Sequence, residues 1–261
     1  MKVLLTNDDG IDAPGLAALH AAVGNSFNHR CDIMVVAPDR GRSECGHSVT
    51  NDRPLKYTQV RKNWIAVDGT PVDCVRAAFG ILGQDIDCVF SGVNAGANLG
   101  IDLLVSGTFA AAREAAMHGV AAMAVSHYRH PEVPVTWDHV PLWMNDTLLE
   151  FHDKLKSQTS SQTSSQTSSQ TSLTRKSLPM HGQHPMLWNV NLPAIDPTDG
   201  VPTLIRCGID TQPISRQAVL KEQEVRFETD FHARPRESGL DVDWCFTGHM
   251  TLSELSNPAP F

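Results

Sequence analysis

The sequence predicts an α/β protein with a Rossmann-like open, mostly parallel sheet, helices on both faces, and a C-terminal extension rich in β-hairpins. Two observations carry this prediction. Short apolar runs alternate with helical segments through about residue 126, which is typical of parallel strands joined by helices. Later strand-like segments follow one another in a proline-rich stretch, which is typical of hairpins.

Five short apolar runs are predicted as strands of the parallel part. They cover residues 2–6, 32–37, 64–67, 86–91 and 120–126. Because crossovers between parallel strands are right-handed, the loops that follow these strands meet along one edge of the sheet. Ligands of open α/β sheets bind at that edge, so we look for the functional site there.

Four helices are predicted between and after these strands. They cover residues 14–24, 71–82, 108–118 and 139–155. The second has the clearest start, because Thr70 can cap it, Pro71 takes its first position and Asp73 complements the positive end of the helix dipole.

The chain is predicted to divide into a core, an insertion and a C-terminal part. Residues 1–156 would form the α/β core with the metal and phosphate site. Residues 157–172 are four tandem copies of Ser-Gln-Thr-Ser with no apolar side chain to bury, so we expect a disordered surface insertion without a catalytic part. Residues 173–261 would complete the core and form an oligomerisation extension. Strands are predicted there at residues 188–193, 203–207 and 219–228.

Composition excludes several classes of protein. The chain has 261 residues, 41% of them hydrophobic, which is enough for one large core. No apolar run approaches the roughly 18 residues of a membrane span, and the N-terminus lacks a signal-like pattern, so we expect a cytoplasmic protein with no membrane partner. The net charge of −8 argues against a duplex nucleic acid partner. Six scattered cysteines form no Cys-x-x-Cys pair and indicate neither a zinc ribbon nor a redox pair.

Two adjacent carboxylates, Asp8 and Asp9, follow the first predicted strand. In the turn after the strand they can converge on one point, although side chains on the strand itself alternate between faces. Two charges about 4 Å apart repel by roughly 4 kcal/mol near a protein surface, and a divalent cation turns this repulsion into attraction. We interpret the pair as half of a metal site; a polar turn or a helix cap is the alternative.

Two further loops follow predicted strands and carry oxygen ligands. After the second strand, Ser43 could offer a hydroxyl to a hard cation, and Arg40 or Arg42 could face an anion, although such a segment can also be an ordinary turn. After the fourth strand, Asn94 and Asn98 stand among glycines, where they offer amide oxygens to a metal and N–H groups to phosphate oxygens.

A third segment opens the predicted helix 108–118. Ser106, Gly107 and Thr108 would present backbone N–H groups and the positive end of the helix dipole to an anion. This is a suitable phosphate cradle, although helix capping alone would explain Thr108 equally well.

The order and spacing of these motifs resemble those of the SurE family of 5′-nucleotidases. The resemblance is carried by Asn7–Gly10, Ala37–Arg40, Gly69–Val75, Ser91–Gly100 and Ser106–Thr108, with residues 189–193 and 229–231 as later landmarks. It implies that the metal ligands are Asp8, Asp9, Ser43 and Asn94. It implies phosphate contacts near Asn98, Ser106, Gly107 and Thr108.

The resemblance implies hydrolysis of phosphate monoesters, above all of nucleoside 5′-monophosphates to nucleoside and phosphate. One divalent cation, Mg²⁺ or Mn²⁺, would assist, and Asp8 or Asp9 would accept the proton of the attacking water. A homodimer or homotetramer is expected. A covalent aspartyl-phosphate mechanism is disfavoured, because it needs Asp-x-Asp and here the acids are adjacent.

Two other readings of the function stay open. The first is a regulatory module that binds a metal and a nucleotide without turnover; Glu44 follows Ser43, where many family members carry glycine. The second is a phosphatase that acts mainly on 3′-nucleotides or polyphosphate.

The histidines are not assigned to the chemistry. His47 lies close to Ser43, but we expect a lone loop histidine to be solvated. His118, His127 and His130 show no zinc-binding spacing.

Overall fold

A computed structural model describes most of the chain. The described residues are 1–43, 45–83, 85–163, 185–214, 217–228 and 230–255. Their strands are β1 (Lys2–Thr6), β2 (Asp32–Pro38), β3 (Tyr57–Arg61), β4 (Trp64–Val67), β5 (Cys88–Asn94), β6 (Ala121–His127), β7 (Leu187–Leu192), β8 (Leu204–Arg206), β9 (Gln217–Lys221), β10 (Glu224–Glu228) and β11 (Met250–Glu254). Their α-helices are α1 (Pro14–Ser26), α2 (Pro71–Leu82), α3 (Gly107–Met117), α4 (Val140–Thr163) and α5 (Asp241–Phe246). Short 3₁₀ helices lie at Gly100–Leu104 and Pro197–Asp199.

Nine strands form one mixed sheet in the order β3-β4-β2-β1-β5-β6-β7-β11-β8. The six strands from β4 to β7 in this order are parallel to their neighbours. β3 is antiparallel to β4, and β11 is antiparallel to β7. The predicted α/β fold with a mostly parallel sheet is therefore confirmed, and β9 and β10 form a separate hairpin.

Helices cover both faces of the sheet. α1 and α4 pack with one set of strand side chains, and α2 and α3 pack with the other. Neighbouring residues of β1 show why the central strands read as continuous apolar runs: Leu4 and Leu5 are both fully buried but belong to different clusters.

The start of α2 is the one predicted in most detail. The Thr70 hydroxyl accepts from the Asp73 N–H at 3.1 Å, and the Asp73 carboxylate accepts from the Thr70 N–H at 2.9 Å. This reciprocal pair is a capping box, with Pro71 at the first helical position.

Helix α4 runs further than predicted. Instead of ending at residue 155 it continues to Thr163, so residues 157–163 of the expected insertion are helical. No glycine or proline interrupts this stretch, and adding residues to an existing helix costs much less than starting one. The rest of the repeat, residues 164–172, lies outside the described residues, and the predicted division of the chain stays a prediction.

The C-terminal half differs most from prediction. The single strand expected at 219–228 is the two-stranded hairpin of β9 and β10, whose turn includes Glu222 at a φ of +52°. β5 ends at Asn94 rather than at residue 91, and β3, β11 and α5 were not predicted. None of the helices in the described part of the chain combines the length and apolar character that crossing a bilayer requires.

Candidate active site

The predicted site residues meet at the carboxyl edge of the sheet. Asp8 and Asp9 lie in the turn after β1, with one residue between the strand and Asp8, and Asn94 is the last residue of the neighbouring strand β5. The two strands are parallel, with Thr6 opposite Ser91, so their ends lie side by side.

Asp8 is buried and bonded to the start of α3. The Thr108 hydroxyl donates to Oδ1 of Asp8 at 2.6 Å. Burial raises the pKa of Asp8 to about 6; the Thr108 hydrogen bond lowers this pKa and the nearby Asp9 raises it. Keeping two carboxylates ionised here is costly without a counter-charge, which is the setting of a cation site.

Asp9 faces the end of β5. Its Oδ2 accepts a hydrogen bond from the Ala95 N–H at 3.0 Å. Burial raises the pKa of Asp9, while the Ala95 bond and the positive charge of Arg129 lower it. Arg129, which follows β6, was not predicted as part of the site.

Asn94 and Ser43, the two predicted neutral ligands, lie on segments that are hydrogen-bonded to Asp9 and Asp8. The Asn94 side-chain N–H donates to the Gly96 carbonyl at 2.9 Å. This bond occupies the nitrogen of the amide, so its oxygen is the atom that could bind a ligand. Ser43 is exposed, and its loop is tied to the acids because the Arg42 N–H donates to the Asp8 carbonyl at 2.7 Å.

The start of α3 lies against Asp8. The Ser106 hydroxyl accepts from the Phe109 N–H at 3.0 Å, so Ser106 caps the helix. The alternative that Thr108 is the cap was wrong, because the Thr108 hydroxyl donates to Asp8 instead. A Cβ at Gly107 would lie 3.0 Å from Cβ and 3.1 Å from Oδ2 of Asp8, a space that only glycine leaves open. The N–H groups and positive dipole end of this helix therefore face the acidic pair.

Asn98 is held by β7. The Asn191 side chain accepts from the Asn98 N–H at 2.9 Å and donates to the Asn98 carbonyl at 3.0 Å. Asn189 donates to the same carbonyl at 3.0 Å, and the Asn98 side chain donates to the Ser126 hydroxyl at 2.7 Å. The landmark at residues 189–193 thus orients a predicted phosphate contact, a role that the sequence did not indicate.

The two arginines proposed to face an anion already have carboxylate partners. Arg40 pairs with Asp39 at 3.2 Å. Arg42 pairs with Asp39 at 3.2 Å and with Asp68 at 3.1 Å.

Three histidines have partners that spacing alone could not show. His47, expected to be solvated, contacts Glu114 of α3 at 2.8 Å, so that expectation was wrong. His127 and His139 meet Nε2 to Nε2 at 2.8 Å. Burial and the charge of Arg129 lower the pKa of His127 to about 3 and that of His139 to about 4, so both are neutral at neutral pH.

The donor set at this edge suits a hard cation. Within the described ranges, no three His, Cys, Asp or Glu side chains are grouped so that they could hold a metal. An ion here would therefore bind two carboxylates and neutral hydroxyl and amide oxygens, which are ligands preferred by Mg²⁺ and Mn²⁺.

A profile of the family described as Survival protein SurE matches residues 3–211. The chain belongs to the SurE family. The predicted family is therefore confirmed.

Full-length relatives agree with this SurE assignment. A protein of Nostoc sp. strain PCC 7120 is 37% identical over 255 residues, which are 98% of this chain and 99% of the relative. The "5′-nucleotidase SurE" of Neisseria gonorrhoeae is 35% identical over 266 residues, covering 98% of this chain and 92% of the relative. The crystal structure of the SurE protein from Aquifex aeolicus superposes with a TM-score of 0.70 at 25% identity, covering 98% of this chain and 93% of that one.

Proposed function

We propose that this SurE-family chain is a metal-dependent 5′-nucleotidase that hydrolyses nucleoside 5′-monophosphates to nucleoside and inorganic phosphate. The observation that carries the proposal is the bond from Thr108, in the first turn of α3, to Asp8 of the acidic pair. This bond supports the proposal because it joins a carboxylate suited to a cation to a helix end suited to an anion, and phosphate-ester hydrolysis needs both. The name of the gonococcal relative supports the same activity.

One cation is proposed to be held by four residues: Asp8, Asp9, Ser43 and Asn94. When bound, Mg²⁺ or Mn²⁺ would neutralise phosphate charge and activate a water for in-line attack. The orientation of the Asn94 amide and the raised pKa of the two acids support this ligand set.

The start of α3 is proposed to bind the phosphoryl group. Backbone N–H groups at Gly107 and Thr108 would stabilise its oxygens, together with Ser106 and with Asn98. Asp8 or Asp9 would accept the proton of the water. The hydrogen bond from the Thr108 hydroxyl to Oδ1 of Asp8 would hold this carboxylate in one orientation.

Phosphate release from AMP, with and without Mn²⁺ and with chelator, tests the proposal. Turnover that needs the metal supports it, and binding of AMP and Mn²⁺ without turnover would instead support the regulatory module. A panel of 5′-nucleotides, 3′-nucleotides and polyphosphate distinguishes the remaining substrate alternatives. Labelled phosphate retained on the protein would indicate the covalent mechanism.

We also propose a cytoplasmic homodimer or homotetramer. The hairpin of β9 and β10 supports assembly, because all its residues are exposed and they include apolar ones. Light scattering measures the assembly directly.

A further inference from the structure

The segment that carries Ser43 is attached to the helices beside it. We call residues 42–43 and 45–50 the Ser43 loop. The Gly46 N–H donates to the Val105 carbonyl at 3.1 Å, and the Thr50 hydroxyl donates to Asp73 of α2 at 2.6 Å. These contacts attach the loop to the segment just before α3 and to the first turn of α2.

His47 makes the contact of this loop with the body of α3. Its Nε2 lies 2.8 Å from Oε2 of Glu114, and its Nδ1 lies 3.2 Å from Nε of Arg113. An arginine N–H can only donate, so Nδ1 is the acceptor, and Nε2 carries the proton and donates to Glu114. The bond is shielded, since the side chain of Glu114 is 2% exposed and that of His47 is 22% exposed.

Glu114 is an ionised anchor for this bond. Burial by itself would raise the pKa of Glu114, but hydrogen bonds from His47 and Arg76 hold it at about 2. The Arg76 Nε donates at 2.6 Å, and Nε2 of His118, the residue that follows α3, lies 3.1 Å from Oε1 of Glu114. Hydrogen bonds to a buried charge are stronger than those between neutral groups.

Helix α3 carries both the proposed phosphate site, at its first residue, and the carboxylate that binds His47. α3 begins at Gly107 in the proposed phosphate site and continues through Glu114. His47 lies four residues after Ser43, and the other end of the loop is bonded to Asp8. We propose that His47 is a positioning residue of the cation site, which through Glu114 fixes the Ser43 loop relative to the phosphate-binding end of α3. The inference rests on the ligand set of the proposed function.

The test is the Mn²⁺ affinity of the nucleotide-free protein, measured by titration calorimetry for matched variants of comparable melting temperature. We expect His47→Ala to weaken binding about tenfold, as substitutions of residues that orient metal ligands do. His47→Gln should stay within about threefold of wild type, because its amide N–H can take the place of Nε2. His118→Ala is the matched control: it removes a histidine from the same carboxylate without touching the loop, and should change nothing.

Two results would contradict the proposed role of His47. Wild-type affinity in His47→Ala, or equal weakening in His47→Ala and His118→Ala, would overturn the positioning role. If His47→Ala does not fold, His47→Asn replaces it, because it keeps the acceptor for Arg113 but does not reach Glu114.

Ser43→Ala separates this inference from the proposed function. Unchanged Mn²⁺ binding in Ser43→Ala would refute the proposed ligand set. It would also refute the inference that His47 acts on the cation by positioning Ser43. Weakened binding in Ser43→Ala with normal binding in His47→Ala would refute only the role of His47.

Discussion

Asp8 shows how single residues build the site. Its carbonyl accepts from Arg42, its carboxylate accepts from Thr108, and Gly107 leaves space beside it. Asp8 is therefore bonded both to the Ser43 loop, through Arg42, and to α3, through Thr108. Asp9, less buried, is bonded to the backbone after β5.

Replacing Asp9 separates chemistry from stability. We expect Asp9→Ala to lower kcat/KM for AMP by at least about a hundredfold, because the variant loses a proposed cation ligand and a proposed proton acceptor. Its melting temperature without metal should stay close to wild type, because a costly carboxylate is removed. Asp12→Ala, which removes an exposed carboxylate from the same loop, is the control. Full turnover by Asp9→Ala would contradict the mechanism.

A methyl group at Gly107 tests the space beside Asp8. Gly107→Ala would push against Asp8 at about 3.0 Å, so we expect kcat/KM to fall at least about tenfold. Gly80→Ala in α2 is the matched control: its Cβ would meet nothing within 4 Å, and activity should be unchanged. Equal activity of the two variants in a phosphate-release assay would show that this space is not used.

At the scale of elements, the site lies where β1, β5, the Ser43 loop and α3 meet. Each element is stable for its own reasons: the strands are buried on both faces, and α3 is capped by Ser106. The bonds between elements set the geometry of the site. The buried charge of Glu114 is the clearest of these, since it joins α2, α3 and the loop.

Glu114 should make stability depend on acid pH. Its pKa of about 2 in the folded protein lies below the ordinary value of 4.5, so its contribution is complete above about pH 4.5 and is lost as pH falls toward 2. The unfolding free energy of Glu114→Gln should be lower than that of wild type at pH 7 and should fall less between pH 5 and pH 3. Glu114→Ala should cost about 2 kcal/mol at pH 7, because it removes hydrogen bonds from a buried charge to three partly exposed partners, Arg76, His47 and His118.

Urea unfolding across this pH range measures the effect. Glu132→Gln, at a side chain that is 88% exposed, is the control and should follow wild type. Parallel curves for wild type and Glu114→Gln would show that the native state does not depend on this charge.

At the scale of the whole molecule, the hairpin of β9 and β10 stands apart from the nine-stranded sheet. Its register places Leu220 opposite Val225 and Ala218 opposite Phe227, so these four side chains share one face. Val219 and Arg226 lie on the other face. An exposed apolar face of this kind favours contact with another subunit.

Charging the apolar face should disrupt assembly. We expect the double variant Leu220→Lys with Phe227→Lys to have a lower mass by light scattering, with an unchanged far-UV spectrum. Val219→Lys charges the opposite face and should keep the wild-type mass. An unchanged mass for the double variant would exclude this face from the interface.

Features that depend on neighbours along the chain could be predicted from the residues alone. The apolar runs of β1, β2, β4 and β6 end within a residue of their predicted bounds, because their burial on both faces requires apolar residues throughout. The capping box of α2 needs residues only three apart. The acidic pair follows a strand end, and this position placed it at the ligand-binding edge.

Contacts between residues that are distant in the chain depend on the packing of the whole fold. β3 is exposed along its length, and β11 pairs with β7 across more than fifty residues of chain, so their strand character depends on partners and not on a local pattern. His47 finds Glu114 67 residues away, and Asn98 finds Asn191 93 residues away. A hydrogen bond of this kind leaves no periodic signal, because its partners come together only when the sheet and its helices have packed.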